Sequence, residues 1–506
     1  MTRAASPRAA QLLPWLAVAS AAWLALFPIT SVDAYYHLAT GRRILDERAI
    51  PQRGVGSASF GTAEWHDNEW GFQVVAALVG RTAREPSGVL ALTPPGRAGL
   101  VILRAAAVAV TLALLAATMA RAGAPPLLSA LSVWLAAFLT FGNLFWDIRP
   151  QIASYAALAA LGYLLERARG RARWALPACA AVIAVWANVH GAFVVGLGLL
   201  GCEAAGAWWE ARHDPGRRRR AWEVTATALG APFAAFLNPL GVAQVVHPFL
   251  YAARPEIYAA NNEWAKPDLL RLPLLVTAVA LLVIALAAGA RLRAALVLRV
   301  ALFAGLFLTA IRHLPLLAIV LAPVLAIALT DLMRRRGRTL PESAWTRAAA
   351  GLAIAAGIVV LSGPRFIGPV PRFEERPSRP LPEAHVRFLS KSGVPGNGFN
   401  SYRFGGFLMF RQYPAERVFM DGRNDLYGAF RARVFDPILS CAPGWEALWA
   451  DARARYDVRW VLIDGAEPLA AALDRDPAWR RVADEELRGD DRFGPDGIVL
   501  FLEDRR

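Results

Sequence analysis

The residues best suited to chemistry begin in "SVDAYYHLATGRR", residues 31–43. Asp33 and His37 are four apart, so on a helix they share one face. A carboxylate beside an imidazole can act as a general base, or the two can hold a divalent cation. Arg42 and Arg43 follow two to three turns on and have the fork geometry that grips phosphate. The same spacing also fits a plainer arrangement, in which Asp33 caps a helix over about 34–48 and Tyr35 and Tyr36 are interfacial aromatics. In "AEWHDNEW", residues 63–70, Asp67 and Glu69 sit between two tryptophans. That pattern suits a second acidic arm with an aromatic platform for a sugar, and equally an interfacial tryptophan belt. Asp67 and Glu69 are the residues a metal would use. Asp147 and Arg149 open a run at "FWDIRPQ", and Asn188 and His190 flank a turn at "WANVHGAF". Glu263 and Trp264 lie in "YAANNEWAKPD" and Arg312 and His313 in "IRHLP". Arg149 and Arg312 are candidate phosphate ligands. His190 and Glu263 are candidate substrate contacts, or parts of polar turns.

The elements that must position these groups are apolar. Of 506 residues, 56% are hydrophobic and 19% charged, and runs long enough to cross a bilayer recur over the first 363. Candidate spans are 11–30, 98–119, 125–145, 150–166, 174–189, 191–209, 222–238, 271–290, 294–311, 314–331 and 346–363. The formal charge of +15 does not point to nucleic acid, because the arginines come in short clusters between apolar runs. These clusters are Arg3/Arg8, Arg121, 166–174, 212–220, Arg291/Arg293 and 334–338. Eleven spans place all of them on one side, which the positive-inside rule makes cytoplasmic, with the N-terminus inside. The loops on that side hold little but arginine, and Asp33, Glu69, Asp147, Arg149, His190, Glu263 and Arg312 fall on the other. Residues 71–80 are apolar but short, and an interfacial or re-entrant helix keeps the charge rule intact. Cys179, Cys202 and Cys441 have neither metal-like spacing nor a disulfide framework.

Beyond residue 363 the chain changes character. Residues 364–382 are a Pro-rich linker, and 383–506 alternate strand-like runs (417–423, 458–464, 497–503) with helical stretches (383–391, 402–412, 444–455, 466–475). The expectation is a polytopic α-helical membrane protein of about 11 transmembrane helices. It has a transmembrane domain over 1–363 with a large first external loop at 31–97, and a C-terminal external α/β domain over 383–506. In that domain Asp421, Arg423 and Asp425 of "VFMDGRNDLYG" either bind a ligand or tie a loop to a strand.

The first loop, "DAYYHLATGRRILDERAIPQRGVGSASFGTAEWHDNEW", resembles that of bacterial integral-membrane glycosyltransferases of the GT-C superfamily. "RPQ" at 149–151, "NVHGAF" at 188–193, "LNPLG" at 237–241 and "FGGFLMF…VFMDGRNDLYG" at 404–428 resemble uncharacterised members of that group. The resemblance implies a GT-C-like fold and an inverting transferase in the bacterial inner membrane, with its C-terminal domain periplasmic. The donor would be a polyprenyl-phosphate-linked sugar and the acceptor a glycan, lipid or protein. Asp33 matches the assisting acid of the first external loop, and Asp147 the acidic residue of the second. The first loop has no Asp-X-Asp, only "DNE" at 67–69, so dependence on a divalent cation, magnesium or manganese, stays open. The competing functions are a lipid-linked sugar transporter or flippase, and a non-catalytic membrane protein whose external domain binds a partner.

Overall fold

A computed structural model describes residues 10–141, 147–170, 172, 174–254, 257, 262–338, 351, 380–415, 418–487 and 497–504. The chain divides into two compact units. The first comprises Met1–Phe27, Val101–Pro248 and Asn261–Phe373, and the second Pro28–Leu100, Phe249–Ala260 and Glu374–Arg506.

The first unit is helical. Its helices include Leu13–Leu24, Pro126–Phe141, Gln151–Arg167, Ala175–Val189, Phe193–His213, Arg218–Ala234, Pro273–Ala287, Ala294–Thr309 and Leu314–Arg335, and Pro94–Arg121 runs into it from the second unit. These coincide with the first ten expected spans. The eleventh, 346–363, lies outside the described residues, as do linker residues 364–379 and Glu256. Length alone does not reach eleven crossings. Among the described residues two helices, Pro94–Arg121 and Ile311–Arg335, are long and apolar enough to cross a membrane. Several others are shorter apolar helices of 10–17 residues. Prolines, which suit a first helical turn, open the helices at Pro126 and Pro273.

The helix ends sort by chemistry. At one end Arg334 Nη2 donates to Gly123 O (2.7 Å), Arg336 Nη2 to Ala288 O (3.2 Å) and Arg220 Nη1 to Ala168 O (2.8 Å). Arg293 Nη2 meets Glu166 Oε2 at 2.5 Å. The basic clusters near residues 121, 166–174, 212–220, 291–293 and 334–338 therefore converge. Where the sequence suggested little but arginine, these clusters share that end with Glu166, Glu203 and Glu210.

In the second unit, helix Asp33–Glu47 begins at Asp33 itself, with Val32 at the N-cap. Asp33 is thus in the first turn, where a carboxylate suits the helix dipole, and is not the capping residue. The helix stops at Arg48, in the left-handed conformation (φ 55°). Residues 71–80 form the ten-residue helix Trp70–Val79, which is too short to cross a bilayer and belongs to this unit. The two helices touch backbone to backbone at Gly41, where a Cβ would lie 2.0 Å from the Gln73 carbonyl oxygen. A hairpin follows, β1 (Thr82–Arg84) pairing antiparallel with β2 (Leu90–Leu92).

The C-terminal segment of this unit carries four strands: β3 (Asn397–Asn400), β4 (Val458–Asp464), β5 (Trp479–Arg481) and β6 (Ile498–Glu503). Their order is β3-β4-β6-β5, with β3 parallel to β4 and the other pairs antiparallel. β4, "VRWVLID", is nearly all buried, as the central strand of a sheet covered on both faces should be. Residues 418–423 are not a strand of this sheet. Val418 instead bridges to Ser57 of the first loop, and Ala58 N donates to Val418 O at 2.7 Å.

Helix Gly405–Arg411 docks on helix Asp33–Glu47 through its glycine pair. A Cβ at Gly406 would sit 3.2 Å from Tyr36, and one at Gly405 2.0 Å from Met420 O. The Tyr35 ring meets Phe407 edge-on at 5.1 Å. The first loop, placed with the membrane helices by the sequence reading, therefore packs here with the C-terminal segment.

Alanine at Gly41 should destabilise this unit by about 1–3 kcal/mol through overpacking, although Gly→Ala ordinarily favours a helix by about 1 kcal/mol. Alanine at Gly230, where a Cβ meets nothing within 4 Å, should not destabilise. Thermal unfolding of both variants checks this, and a Gly41→Ala protein as stable as the parent would refute the backbone contact.

Candidate functional site

Functional groups gather separately in each unit. In the second, helix Asp33–Glu47 presents Asp33, Tyr36 and His37, and the segment leading into helix Trp70–Val79 presents Asp67 and Glu69. His37 is buried, with Nδ1 3.7 Å from Glu69 Oε2. Tyr36 donates its hydroxyl to the same oxygen at 3.1 Å. Asp67 is buried, and its Oδ1 accepts from Gln73 Nε2 (3.0 Å) and from the Glu69 amide (3.2 Å).

The C-terminal segment adds Asp425, whose Oδ2 accepts from Trp65 Nε1 at 3.2 Å, and Tyr402, whose hydroxyl donates to Asn424 Oδ1 at 2.9 Å. Beside them Asp421 and Arg423 form a buried ion pair (2.7 Å) that Tyr427 joins by donating to Asp421 (2.7 Å). Arg423 holds the Asp421 carboxyl below its ordinary range despite burial, so this pair is structural cement.

The other carboxylates behave oppositely. Burial pushes Glu69 up to about 8, and the charges of Asp67, Asp425 and Asp33 add to the shift. Burial likewise pushes Asp67 up to about 7, with Asp425 contributing and Arg423 opposing. Burial and then the negative charges of Glu69, Asp33 and Asp425 raise Tyr36 well above its ordinary value. Asp33, Asp67, Glu69 and Asp425 therefore lie within electrostatic reach of one another. Carboxyls whose pKa is displaced by burial and by like charges are candidates for proton handling.

Among the described residues no group of three or more His, Cys, Asp or Glu side chains is gathered to hold an ion. Asp67 is engaged by Gln73 and a backbone amide, and Glu69 by Tyr36. Arg42 forms an exposed i,i+4 pair with Asp46 (3.0 Å) and is engaged along its own helix.

In the first unit, Arg149 Nη1 meets Glu263 Oε1 at 2.5 Å. The Arg312 guanidinium lies over the Trp264 ring, 4.4 Å from its centre, and Ile311 N donates to Ala265 O at 2.9 Å. Burial pushes the Glu263 carboxyl up, but Arg149 and Arg312 outweigh it and hold the group below its ordinary range. Arg149, Glu263 and Arg312 therefore share one electrostatic site. His190 lies within reach of Arg312's charge. Its Nδ1 is 2.7 Å from Ser154 Oγ, which also accepts from Trp186 Nε1 at 2.7 Å. Asp147 accepts from the Ile148 amide (2.8 Å) and interacts electrostatically with Arg104.

No protein-family model and no curated protein matches the chain. Solved structures do. An archaeal oligosaccharyltransferase, AglB from Archaeoglobus fulgidus in complex with an inhibitory peptide and a dolichol-phosphate, superposes with a TM-score of 0.59 at 11% identity, covering 90% of this chain and 69% of that one. The A. fulgidus enzyme tethered with an acceptor peptide containing the NVT sequon gives 0.57 at 10% identity, covering 90% and 69%. Its complex with Zn and sulfate gives 0.57 at 13%, covering 90% and 68%. The chain has the fold of these oligosaccharyltransferases. At such identities the likeness establishes architecture, and agrees with the resemblance carried by the first loop.

The sequence pointed to Asp33, His37, Asp67 and Glu69, left Asp425 as either a ligand contact or a loop tie and Tyr36 as an interfacial aromatic, and gave no role to Tyr402. The signal for Asp425 was present in "DGRNDLYG", where a second acid follows the buried Asp-Arg pair.

The raised carboxyls carry a sign. A group protonated more readily when folded contributes stability that is fully present below its ordinary value of 4.5 and is lost as the pH rises through about 8. The melting temperature should therefore fall between about pH 5 and 8, and Glu69→Gln should flatten that fall. Superimposable pH profiles for the parent and Glu69→Gln would refute the shift.

Proposed function

We propose that the protein is a multi-pass membrane glycosyltransferase that moves a sugar from a polyprenyl-phosphate donor to an acceptor at the external face of a bacterial inner membrane. The fold supports a transferase of lipid-linked glycans, and one neighbour was solved with a dolichol-phosphate. The observation that carries the donor class is the Arg149–Glu263–Arg312 group with Trp264 beside it. Two guanidiniums share one carboxylate, which leaves a net positive charge for a phosphate. The Arg149–Glu263 pair is partly exposed, so an incoming phosphate can replace the carboxylate without stranding a buried ion.

Proton handling belongs to the first-loop group. Glu69, protonated at neutral pH, serves as a hydrogen-bond donor and not as the base. That leaves Asp33, in the first turn of its helix, to take or orient the proton of an acceptor hydroxyl. Tyr36 and His37 hold Glu69 in place. The departing prenyl phosphate is a good leaving group, so charge stabilisation by arginine matters more than acid assistance.

Asp33→Asn should lower sugar transfer by about 10²–10⁴-fold with an unchanged melting temperature. Arg312→Gln should weaken donor binding by about 10–100-fold, the worth of one charged hydrogen bond of ~1.5–3 kcal/mol. The assay is transfer of radiolabelled sugar from a panel of polyprenyl-phosphate sugars. Near-normal transfer by Asp33→Asn would end the base assignment, and inactivity of the purified protein with every donor would end the transferase reading.

A further inference from the structure

A hydrogen-bond relay in the helical unit lies beside the Arg149–Glu263–Arg312 group, and the transfer reading does not use it. Ser154 and Tyr155 are neighbours near the start of helix Gln151–Arg167, and both are more than nine-tenths buried. The Ser154 hydroxyl oxygen accepts from Trp186 Nε1 at 2.7 Å and stands 2.7 Å from His190 Nδ1. An indole N–H can only donate, so the serine oxygen is the acceptor in the first of these contacts. Its own hydrogen then has one acceptor among the described residues, His190 Nδ1. A hydroxyl this buried keeps its hydrogen paired, so Nδ1 holds the lone pair and the ring proton sits on Nε2.

His190 keeps that single proton. Burial, and then the Arg312 charge, push it down to about 3, so the ring is neutral at physiological pH. It stands at the extended C-cap of helix Ala175–Val189, in the turn before Phe193–His213. Tyr155 is a second neutral group at the same place. Its hydroxyl makes no hydrogen bond to a described residue, and it lies within electrostatic reach of Arg312, Glu263 and Arg149. The two guanidiniums have only donors, and Arg149 already engages Glu263, so an incoming anion would supply the acceptor that the phenol lacks.

We propose that His190 Nε2–H and the Tyr155 hydroxyl are neutral donors to the prenyl phosphate, and that Ser154 and Trp186 are positioning residues that hold His190 in the tautomer this requires. Both contacts rest on the donor reading of the Arg149–Glu263–Arg312 group. A phosphodiester carries one negative charge, which the two guanidiniums already answer. A cationic imidazole beside them would add a third positive charge and hold back the departing phosphate. A neutral N–H or O–H adds a directed hydrogen bond and no charge.

The test uses the full chain in an uncharged detergent, with isotope-labelled histidine and His190 assigned by its loss in His190→Gln. Without ligand, the nitrogen spectrum should show His190 protonated on Nε2 and bare on Nδ1, and Ser154→Ala should mix the two tautomers. Calorimetry should show saturable binding of farnesyl phosphate, and none of farnesol or inorganic phosphate at the same concentration. Tyr155→Phe and His190→Asn should each weaken that binding by about tenfold or more. His190→Gln should restore most of it, because its amide nitrogen reaches the place of Nε2, whereas that of asparagine reaches only the place of Nδ1. A parent His190 protonated on Nδ1 overturns the relay, whether or not Ser154→Ala folds. Unchanged binding by Tyr155→Phe or by His190→Asn, or an equal loss with glutamine and asparagine, overturns that residue's contact while the donor reading stands. A parent that binds no farnesyl phosphate, or binds inorganic phosphate as well, overturns the donor reading and both contacts with it.

Discussion

A charge taken out of water must be answered by another charge, and how each buried ion is answered sorts this molecule into parts. Glu203 is met by a ring of guanidiniums, and Asp421 by Arg423 and Tyr427. Removing one partner from such a centre costs about 3–5 kcal/mol, because the other is left uncompensated. These centres hold helices and loops in register. Glu69 and Asp67 meet a different environment, in which burial is compounded by neighbouring carboxylates. There the protein keeps a proton in place of a counter-charge. That choice gains nothing for stability above neutral pH, and it is what supports the proposal of proton handling by the first-loop group.

The close approach that creates the carboxylate group depends on absent side chains. Gly41 lets the Gln73 carbonyl reach one helix, Gly406 lets the C-terminal segment come down on Tyr36, and Gly405 lets its own helix approach Met420 within that segment. With any larger residue at these points the helices stand further apart and the acids cease to perturb one another. The glycine pair inside "RFGGFLMF" was visible in the sequence as a licence for close packing. What it packs against was not, because the partner lies more than 300 residues earlier in the chain.

The same limit separates what the sequence disclosed from what it did not. Helix positions in the first unit followed from apolar length, since burial or a membrane both demand it. β4 and β6 followed from unbroken apolar runs. Residues 418–423 read as a strand for the same reason and are not one, because an apolar run signals burial and only a ladder partner makes a strand. Their nearest neighbour is the first loop at Ser57. Asp33, His37 and Glu69 stood out by residue type, whereas Asp425 and Tyr402 acquire meaning only when the C-terminal segment is placed against that loop. The arginine clusters were legible as a set. Glu203, one acid inside "GLGLLGCEAAGAWW", was the overlooked sign that they converge, since a lone carboxylate in an apolar helix must find cations.

Arginine does two kinds of work here, and exposure decides which. Arg149 and Glu263 keep 27% and 34% of their side-chain surface, and a pair so placed is worth about 0–1 kcal/mol. Such a pair holds an arginine ready and gives it up readily, as the proposed phosphate site requires. Arg299 keeps 9% and Glu203 1%, so their bond is not open to exchange. The first arrangement favours turnover. The second favours permanence, as expected of a centre that holds helices in register.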